Sequence, residues 1–209
     1  MHEKVLPRGS RELLAKLELL SLPQLQGWTL AGGTGLALQM GHRISGSLAF
    51  FRVDGFDADR LHEILRLVGN VETLQEDDRT LTVNVSATKV SFFSVPDEFQ
   101  FPGQPYHLFE LADPRDIALM KLAAISGRGS RTDFVDLYSI LRGGQSLEQC
   151  FQWLPMKYGE GRVNTYHVLK SLTYFEDAER EPMPQMLEPF DWAECKDYFL
   201  REAHAIVLP

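Results

Sequence analysis

The sequence predicts an α+β fold: a small mixed β-sheet with flanking helices over residues 1–112, followed by an all-helical region over residues 113–209. Two patterns indicate this division. Across residues 71–95, apolar and polar side chains alternate with the period of two that is typical of strands. Beyond that stretch the apolar spacing becomes helical, and Asp113-Pro114 is a strong signal for a helix start.

In the first region, the pattern predicts strands and helices in alternation. We expect Ser10 to cap the first helix and Thr34 to begin the second, after a short strand, WTLAGG, that enters a tight turn. Asp57 is a suitable cap for the third helix. The remaining segments are predicted strands, namely GSLAFFRV before that helix and RTLTVNV, KVSFFSV and YHLFEL after it.

The second region is predicted to contain helices joined by short connections. The first two are DIALMKLAAISGR and RTDFVDLYSILRGG. A third opens at Ser146 with Glu148 in its first turn, and we expect Pro155 to interrupt it. The segments NTYHVLKSLTYF and DWAECKDYFLREAHAI are the last two predicted helices, and the proline-rich EPMPQMLEP between them is expected to be a surface loop or strap.

Composition limits the classes of function. The chain has 209 residues, and its net charge of −8 argues against non-specific coating of nucleic acid while leaving room for a local basic cleft. Cys150 and Cys195 lie far apart and belong to no metal or redox motif, so a reduced, cytoplasmic protein is expected. The N-terminus lacks the apolar run of a signal peptide, and no apolar run is long enough for a membrane span.

Gly32 and Gly33 are the first candidates for a binding site. They remove two side chains where a strand passes into a helix, which exposes backbone N–H groups to an anion at the helix N-terminus. Thr34 could donate its hydroxyl to a phosphate or cap its helix. A plain tight turn explains the double glycine equally well, because two glycines are a weak signal on their own.

Four charged residues of the second region are also candidates. Lys121 and Arg128 lie nearly two helical turns apart on one face, a spacing that suits a polyphosphate or an RNA backbone. The alternative is a solvated basic face in which Lys121 extends to water. Asp133 and Asp136 share a helical face. They could hold a metal, favour the start of their helix through its dipole, or orient the two cations through salt bridges.

Several known site types are missing from the sequence. It contains no Ser-His-Asp or Cys-His arrangement, no zinc-ligand spacing, no Walker motif and no dinucleotide fingerprint.

Taken together, LAGGTGLALQMGHRISGSLAFF, KVSFF and DPRDIALMKLAAISGRGSRTDFVDLY resemble the AbiEii/AbiGii-type nucleotidyltransferase toxin family, whose fold is similar to that of DNA polymerase beta. The segment LKSLTYFEDAEREPMPQML is similar to the C-terminal region of that family, so the resemblance runs from about Leu30 to Trp192. It implies a nucleotidyltransferase core whose cleft the helical domain completes. It also implies transfer of a nucleoside monophosphate from an NTP to an RNA acceptor such as tRNA, with Mg²⁺ as cofactor. The expected biology is a toxin–antitoxin pair in abortive infection.

The resemblance also assigns roles to individual residues. The triphosphate would lie on the glycine turn, the following arginine-containing turn would support it, and cations and carboxylates from the helical region would complete the cleft, with one aspartate as catalytic base. The residues with an implied nucleotide-binding role are Gly32, Gly33, Thr34, Arg43, Ser45, Lys121 and Arg128, and those with an implied catalytic role are Lys121, Asp133 and Asp136.

The sequence departs from the family at two positions. Family members carry an Asp-x-Asp pair on the strand after the arginine turn, where this chain has Ser47 and Ala49. Successive carboxylates on one strand face hold Mg²⁺ in such enzymes, and serine and alanine cannot replace them. The resemblance therefore predicts a weak or inactive transferase, whether by natural degeneration or by engineering, unless Asp54 or Asp136 supplies the missing ligand. The alternative is a non-catalytic, partner-regulated protein that binds nucleotide or RNA.

Overall fold

The structure, a computed structural model, describes residues 1–208 and contains two compact units, Met1–Asp113 and Pro114 onward. The first unit combines a sheet with three helices, α1 (Arg8–Leu20), α2 (Gly32–Met40) and α3 (Ala58–Val68), and with short 3-10 turns at Glu3–Val5 and Pro23–Leu25. Its strands are β1 (Thr29–Leu30), β2 (Leu48–Arg52), β3 (Val71–Asp77), β4 (Thr80–Val85), β5 (Thr88–Ser94), β6 (Gln104–Tyr106) and β7 (Phe109–Leu111).

The sheet is mixed, as the sequence predicts. Its strand order is β3-β4-β5-β2-β1-β7-β6. Strand β2 pairs parallel with β5, β1 pairs parallel with β7, and the remaining pairs are antiparallel. Strand β2 therefore lies in the middle of the sheet, next to the strand β1 that leads into the glycine turn.

The core of the first unit fixes which way β2 faces. Leu48 and Phe50 are buried with Leu17 of α1 and Leu65 of α3 in one apolar cluster. Burial of each such side chain contributes about 1.5–3 kcal/mol. Since strand side chains alternate between faces, Ala49 lies on the opposite face of β2, and it is only half-buried.

Three predicted details of the first unit are wrong. Helix α1 begins at Arg8, and Ser10 does not cap it but donates its hydroxyl to the Gly46 carbonyl at 2.7 Å. Helix α2 begins at Gly32, two residues before Thr34. The segment YHLFEL does not form one strand: it contains the last residue of β6, a turn at which His107 has a positive φ of 52°, and strand β7.

The second unit is helical, as predicted. Its helices are α4 (Pro114–Arg128), α5 (Arg131–Arg142), α6 (Leu147–Tyr158), α7 (Thr165–Ser171), α8 (Glu176–Arg180) and α9 (Trp192–Ala205). Phe134 of α5 packs against Phe175, Trp192 and Phe199, with ring centroids 5.1, 6.1 and 5.5 Å away. Cys150 and Cys195 are free and buried. Among the described helices, none has the length and hydropathy that a membrane crossing requires.

The predicted break at Pro155 does not occur, since α6 continues through it to Tyr158. A proline inside a helix removes one hydrogen bond and crowds the carbonyl four residues earlier. Contacts on the buried face of α6 oppose that cost: Leu154 is fully buried, and Lys157 forms a buried ion pair with Asp116 at 2.9 Å. Ser146 caps α6 as predicted, in a capping box whose second member is Gln149.

Candidate functional site

The glycine turn, Ala31–Gly33, connects β1 to α2 and lies beside β2. The Ala31 N–H donates to the Ala49 carbonyl at 3.0 Å, which fixes the end of β1. Gly32 has a φ of +63°, in the left-handed region that favours glycine, and both glycines are partly exposed. No side chain of the described residues caps α2. The first N–H groups of this helix are therefore open to an anion.

Thr34 supports the turn from inside the protein. Its side chain is buried, and its hydroxyl donates to the Ser47 carbonyl at 2.6 Å and lies 2.7 Å from the Ser45 hydroxyl. The interpretation of Thr34 as a helix cap is wrong, because Ala31 occupies the cap position. A contact between Thr34 and a phosphate stays a prediction, and it would require the hydroxyl to leave the Ser47 carbonyl.

The arginine-containing turn is directed into the first unit. Arg43 is buried, and its Nη1 donates to the Ile44 carbonyl at 3.1 Å. The Ser45 N–H donates to the Val5 carbonyl at 3.0 Å. These bonds and the Thr34 contact anchor the chain just before the two positions where the resembling family has aspartates.

Ser47 and Ala49 lie next to the glycine turn. Ser47 is exposed directly before β2, and Ala49 pairs in register with Ser91 of β5. A Cβ built on Gly32 would lie 4.0 Å from the Ala49 Cβ. Side chains at positions 47 and 49 share the face of β2 that borders the turn.

The donor set at this face does not fit Mg²⁺. The ion requires several hard oxygen ligands, preferably carboxylates, and positions 47, 49 and 91 supply two hydroxyls and a methyl group. Within residues 1–208, no three His, Cys, Asp or Glu side chains are grouped in a way that could hold a metal ion.

The charge cluster of the second unit consists of Lys121 and Arg128 of α4 with Asp133 and Asp136 of α5. The Lys121 ammonium lies 2.8 Å from Asp133 Oδ1 and 2.7 Å from Asp136 Oδ2. Arg128 donates to both carboxylate oxygens of Asp133, from Nε at 2.7 Å and from Nη2 at 2.9 Å. The predicted salt bridges are therefore present, and the solvated alternative for Lys121 is wrong because that residue is 6% exposed.

The cluster balances its own charge. Burial alone would raise the pKa of Asp133, but the hydrogen bonds from Arg128 and the charge of Lys121 outweigh it and hold that pKa below its usual range. Two cations face two carboxylates, so the cluster carries no formal net charge. Arg128 is the most accessible member, with 67% of its side chain exposed.

The Lys157–Asp116 ion pair is a buried polar contact that the sequence does not predict. Nothing local to either residue indicates a partner 41 positions away. The contact forms because α6 packs against α4, which a single sequence does not reveal.

Three known proteins are similar to this chain. A protein of Aquifex aeolicus (strain VF5), described as uncharacterized protein aq_aa25, is 33% identical over 207 residues, covering 94% of this chain and 95% of that protein. A proposed nucleotidyltransferase of H. pylori superposes with a TM-score of 0.54 at 12% identity, covering 94% of this chain and 92% of the other. MenT4, a nucleotidyltransferase toxin from Mycobacterium tuberculosis H37Rv, superposes with a TM-score of 0.55 at 17% identity, covering 93% and 80%.

These likenesses show that the fold is that of nucleotidyltransferases. No protein-family model matches the chain. At 12% and 17% identity the structural likenesses establish the fold alone, so the residues themselves must support any function.

Proposed function

This chain belongs to the same family as aq_aa25 of Aquifex aeolicus and has a nucleotidyltransferase fold, and we propose that it binds a nucleoside triphosphate at the glycine turn without efficient nucleotidyl transfer. Nucleotide binding would be retained because the turn presents open N–H groups next to two partly exposed glycines. Transfer would be weak because the metal-holding positions lack carboxylates.

The observation that carries this proposal is the position of Ser47 and Ala49 beside the turn. A carboxylate at either position would face the same space as the glycine N–H groups. A pair of carboxylates there would hold a Mg²⁺ ion, which would supply charge stabilisation for phosphoryl chemistry. Removal of such ligands costs several kcal/mol of transition-state stabilisation, on the order of a thousandfold or more in rate.

The charge cluster does not replace the missing ligands. Asp133 and Asp136 are each bound to Lys121, and Asp133 also accepts from Arg128, so a metal would have to displace buried ion pairs. The roles that the resemblance implies for these four residues, in phosphate contact and in catalysis, stay predictions.

Labelled nucleotide transfer into total tRNA with Mg²⁺ tests the catalytic half of the proposal. The chain would be compared with a Ser47→Asp/Ala49→Asp variant and with a Thr73→Asp/Gln75→Asp variant, which places two carboxylates on exposed positions of β3. We expect labelling only with the first variant, at a rate on the order of a hundredfold or more above the unaltered chain. Equal labelling by the unaltered chain would show that the metal is held elsewhere.

Nucleotide affinity tests the binding half. We expect each NTP to bind with nearly the same affinity in Mg²⁺ and in EDTA, because the turn recognises phosphate through N–H groups alone. A preference of tenfold or more for Mg²⁺ would contradict this.

The likeness to MenT4 supports one further part of the proposal. MenT4 is described as a toxin, so a cognate antitoxin is a candidate partner of this chain. An RNA such as tRNA is the candidate acceptor or ligand, which only the resemblance of the sequence implies. A chain that binds nucleotide or RNA without turnover would act through such a partner. Failure of both the unaltered chain and the Asp pair variant to label tRNA would favour this non-catalytic alternative.

A further inference from the structure

The second unit contains a surface cavity of about 310 Å³ at the C-terminal end of α4, which we call the α4–α7 pocket. It is lined on one side by residues 125–129 and on the other by α7, Tyr174 and Asp177. His167, Lys170 and Ser171 lie three and four residues apart, so they share one face of α7. A volume near 300 Å³ is at the small end of ligand pockets, enough for one small organic anion.

Cationic groups line this pocket from both sides. Arg128 contributes from α4, and its bidentate contact with Asp133 holds the guanidinium in place while most of the side chain stays exposed. Lys170 contributes from α7, and its exposed ammonium forms no ion pair within residues 1–208. The acidic member, Asp177, lies 3.5 Å from Arg180. The pocket therefore offers two cations and one carboxylate, and that carboxylate already has Arg180 as its partner. The Lys170 ammonium is the cation that has no ion-pair partner among the described residues.

The remaining walls suit a nucleotide. A Cβ built on Gly127 would meet nothing within 4 Å, and one on Gly129 would meet nothing closer than 3.8 Å, so the backbone here leaves room for a ligand. The His167 ring is fixed by a 3.2 Å contact between its Nε2 and the Ser126 carbonyl. Tyr174 is 51% exposed, and its hydroxyl donates to Glu176 at 3.1 Å, which positions an open aromatic ring at the pocket.

We infer that the α4–α7 pocket binds the phosphate of a nucleotide between Arg128 and Lys170, with the base against the Tyr174 ring. Arginine and lysine together recognise phosphate oxygens, and an exposed aromatic ring stacks on any base. A free nucleotide and one nucleotide of a single-stranded RNA carry the same chemistry. The inference goes beyond nucleotide binding at the glycine turn, because every residue that lines the pocket belongs to the second unit. Among these lining residues, Arg128 alone also has a nucleotide-binding role that the resemblance implies.

Amide NMR spectra of the full chain test this inference. The backbone signals of Gly127 and Gly129 would be followed during titration with inorganic phosphate, with AMP and with a short oligoadenylate. The variants are Lys170→Ala and Tyr174→Ala, and Arg201→Ala is a matched control because it removes an exposed positive charge from α9, outside the pocket. All three substitutions are at exposed side chains, and thermal unfolding would verify that each variant is folded.

We expect inorganic phosphate and AMP to shift both glycine signals in a saturable way. Lys170→Ala should lower the affinity for both ligands about fivefold, whereas Arg201→Ala should change neither affinity. Tyr174→Ala should lower the affinity for AMP about fivefold and leave the affinity for inorganic phosphate unchanged, since only the base can stack. Oligoadenylate binding more than tenfold tighter than AMP would identify RNA as the source of the nucleotide, and equal affinities would identify the free nucleotide.

Two results would overturn the inference. One is the absence of shifts at Gly127 and Gly129, and the other is an equal response of Lys170→Ala and Arg201→Ala. Signals of Gly32 and Gly33, followed in a separate titration with NTP, report on the glycine turn. Failure of that proposal is therefore distinguishable from failure of this one.

Discussion

The glycine turn with β2 and the charge cluster of α4 and α5 are the two regions where the resembling family has its functional motifs, and this chain matches those motifs to different degrees. Beside the turn, Ser47 and Ala49 occupy the positions where that family has carboxylates. In the cluster, Lys121, Arg128, Asp133 and Asp136 are all present and bound to one another at 2.7–2.9 Å.

The difference is explained by the roles of the carboxylates, which would hold a metal beside the turn but balance buried cations in the cluster. Carboxylates at positions 47 and 49 would repel one another unless a metal lay between them. Serine and alanine at these positions avoid that repulsion at no cost to the fold, while the proposed cost is the loss of the metal site. Loss of one member of the cluster would leave a buried charge without its partner. The ion pairs of the cluster therefore stabilise the fold, whether or not the cluster contacts nucleotide.

Asp133→Asn would break the cluster at its centre. The substitution keeps the shape of the side chain but leaves Lys121 and Arg128 sharing a neutral group, so we expect the free energy of unfolding to fall by about 3 kcal/mol. Urea unfolding followed by circular dichroism measures this change.

Asp197→Asn is the matched control for that measurement, because Asp197 is an exposed aspartate of α9 outside the cluster. It should change the free energy of unfolding by less than about 0.5 kcal/mol. If the two substitutions had equally small effects, the cluster would not be structural, and its persistence would need a functional explanation.

Thr34→Val tests the other side of the comparison. Valine has the size of threonine but leaves the Ser47 carbonyl and the Ser45 hydroxyl without their buried partner, so we expect a loss of about 1.5 kcal/mol in the free energy of unfolding. Thr73→Val, on the exposed strand β3, is the control and should be nearly neutral. A neutral Thr34→Val would mean that the hydroxyl does not support this turn, and it would favour a role of the hydroxyl in ligand contact.

Local patterns predicted much of this structure. The alternation over residues 71–95 predicted strands that the structure confirms. The Asp133/Asp136 spacing predicted that the two carboxylates share one helical face, and both bind Lys121 in the structure. Such features depend on neighbours within a few turns of the chain, which the sequence displays directly.

Contacts between distant segments account for what was missed. Thr34 turns inward because Ser47, 13 positions later, offers a carbonyl, and Pro155 stays helical while Lys157 binds Asp116 across 41 positions. The pocket between α4 and α7 is likewise made by two segments that are far apart in sequence. A single sequence does not show which distant segments are in contact, so periodicity alone could not predict these contacts.

The pH dependence of stability gives the smallest expected effect and isolates Asp133. The pKa of its carboxyl lies below the ordinary value in the folded protein, so the unfolded chain takes up the proton first as the pH falls. The stabilisation from Asp133 is therefore complete above about pH 5 and decreases as the pH falls through about 4 toward the folded pKa.

The difference in the free energy of unfolding between the unaltered chain and Asp133→Asn should shrink by about 1 kcal/mol from pH 6 to pH 3. Arg128 does not produce the difference, because its hydrogen bonds to Asp133 raise its pKa still further above this range. A difference that stays constant with pH would show that Arg128 and Lys121 hold Asp133 by packing and hydrogen-bond geometry instead of charge, and the contrast with the uncharged Ser47–Ala49 face would then lose its electrostatic basis.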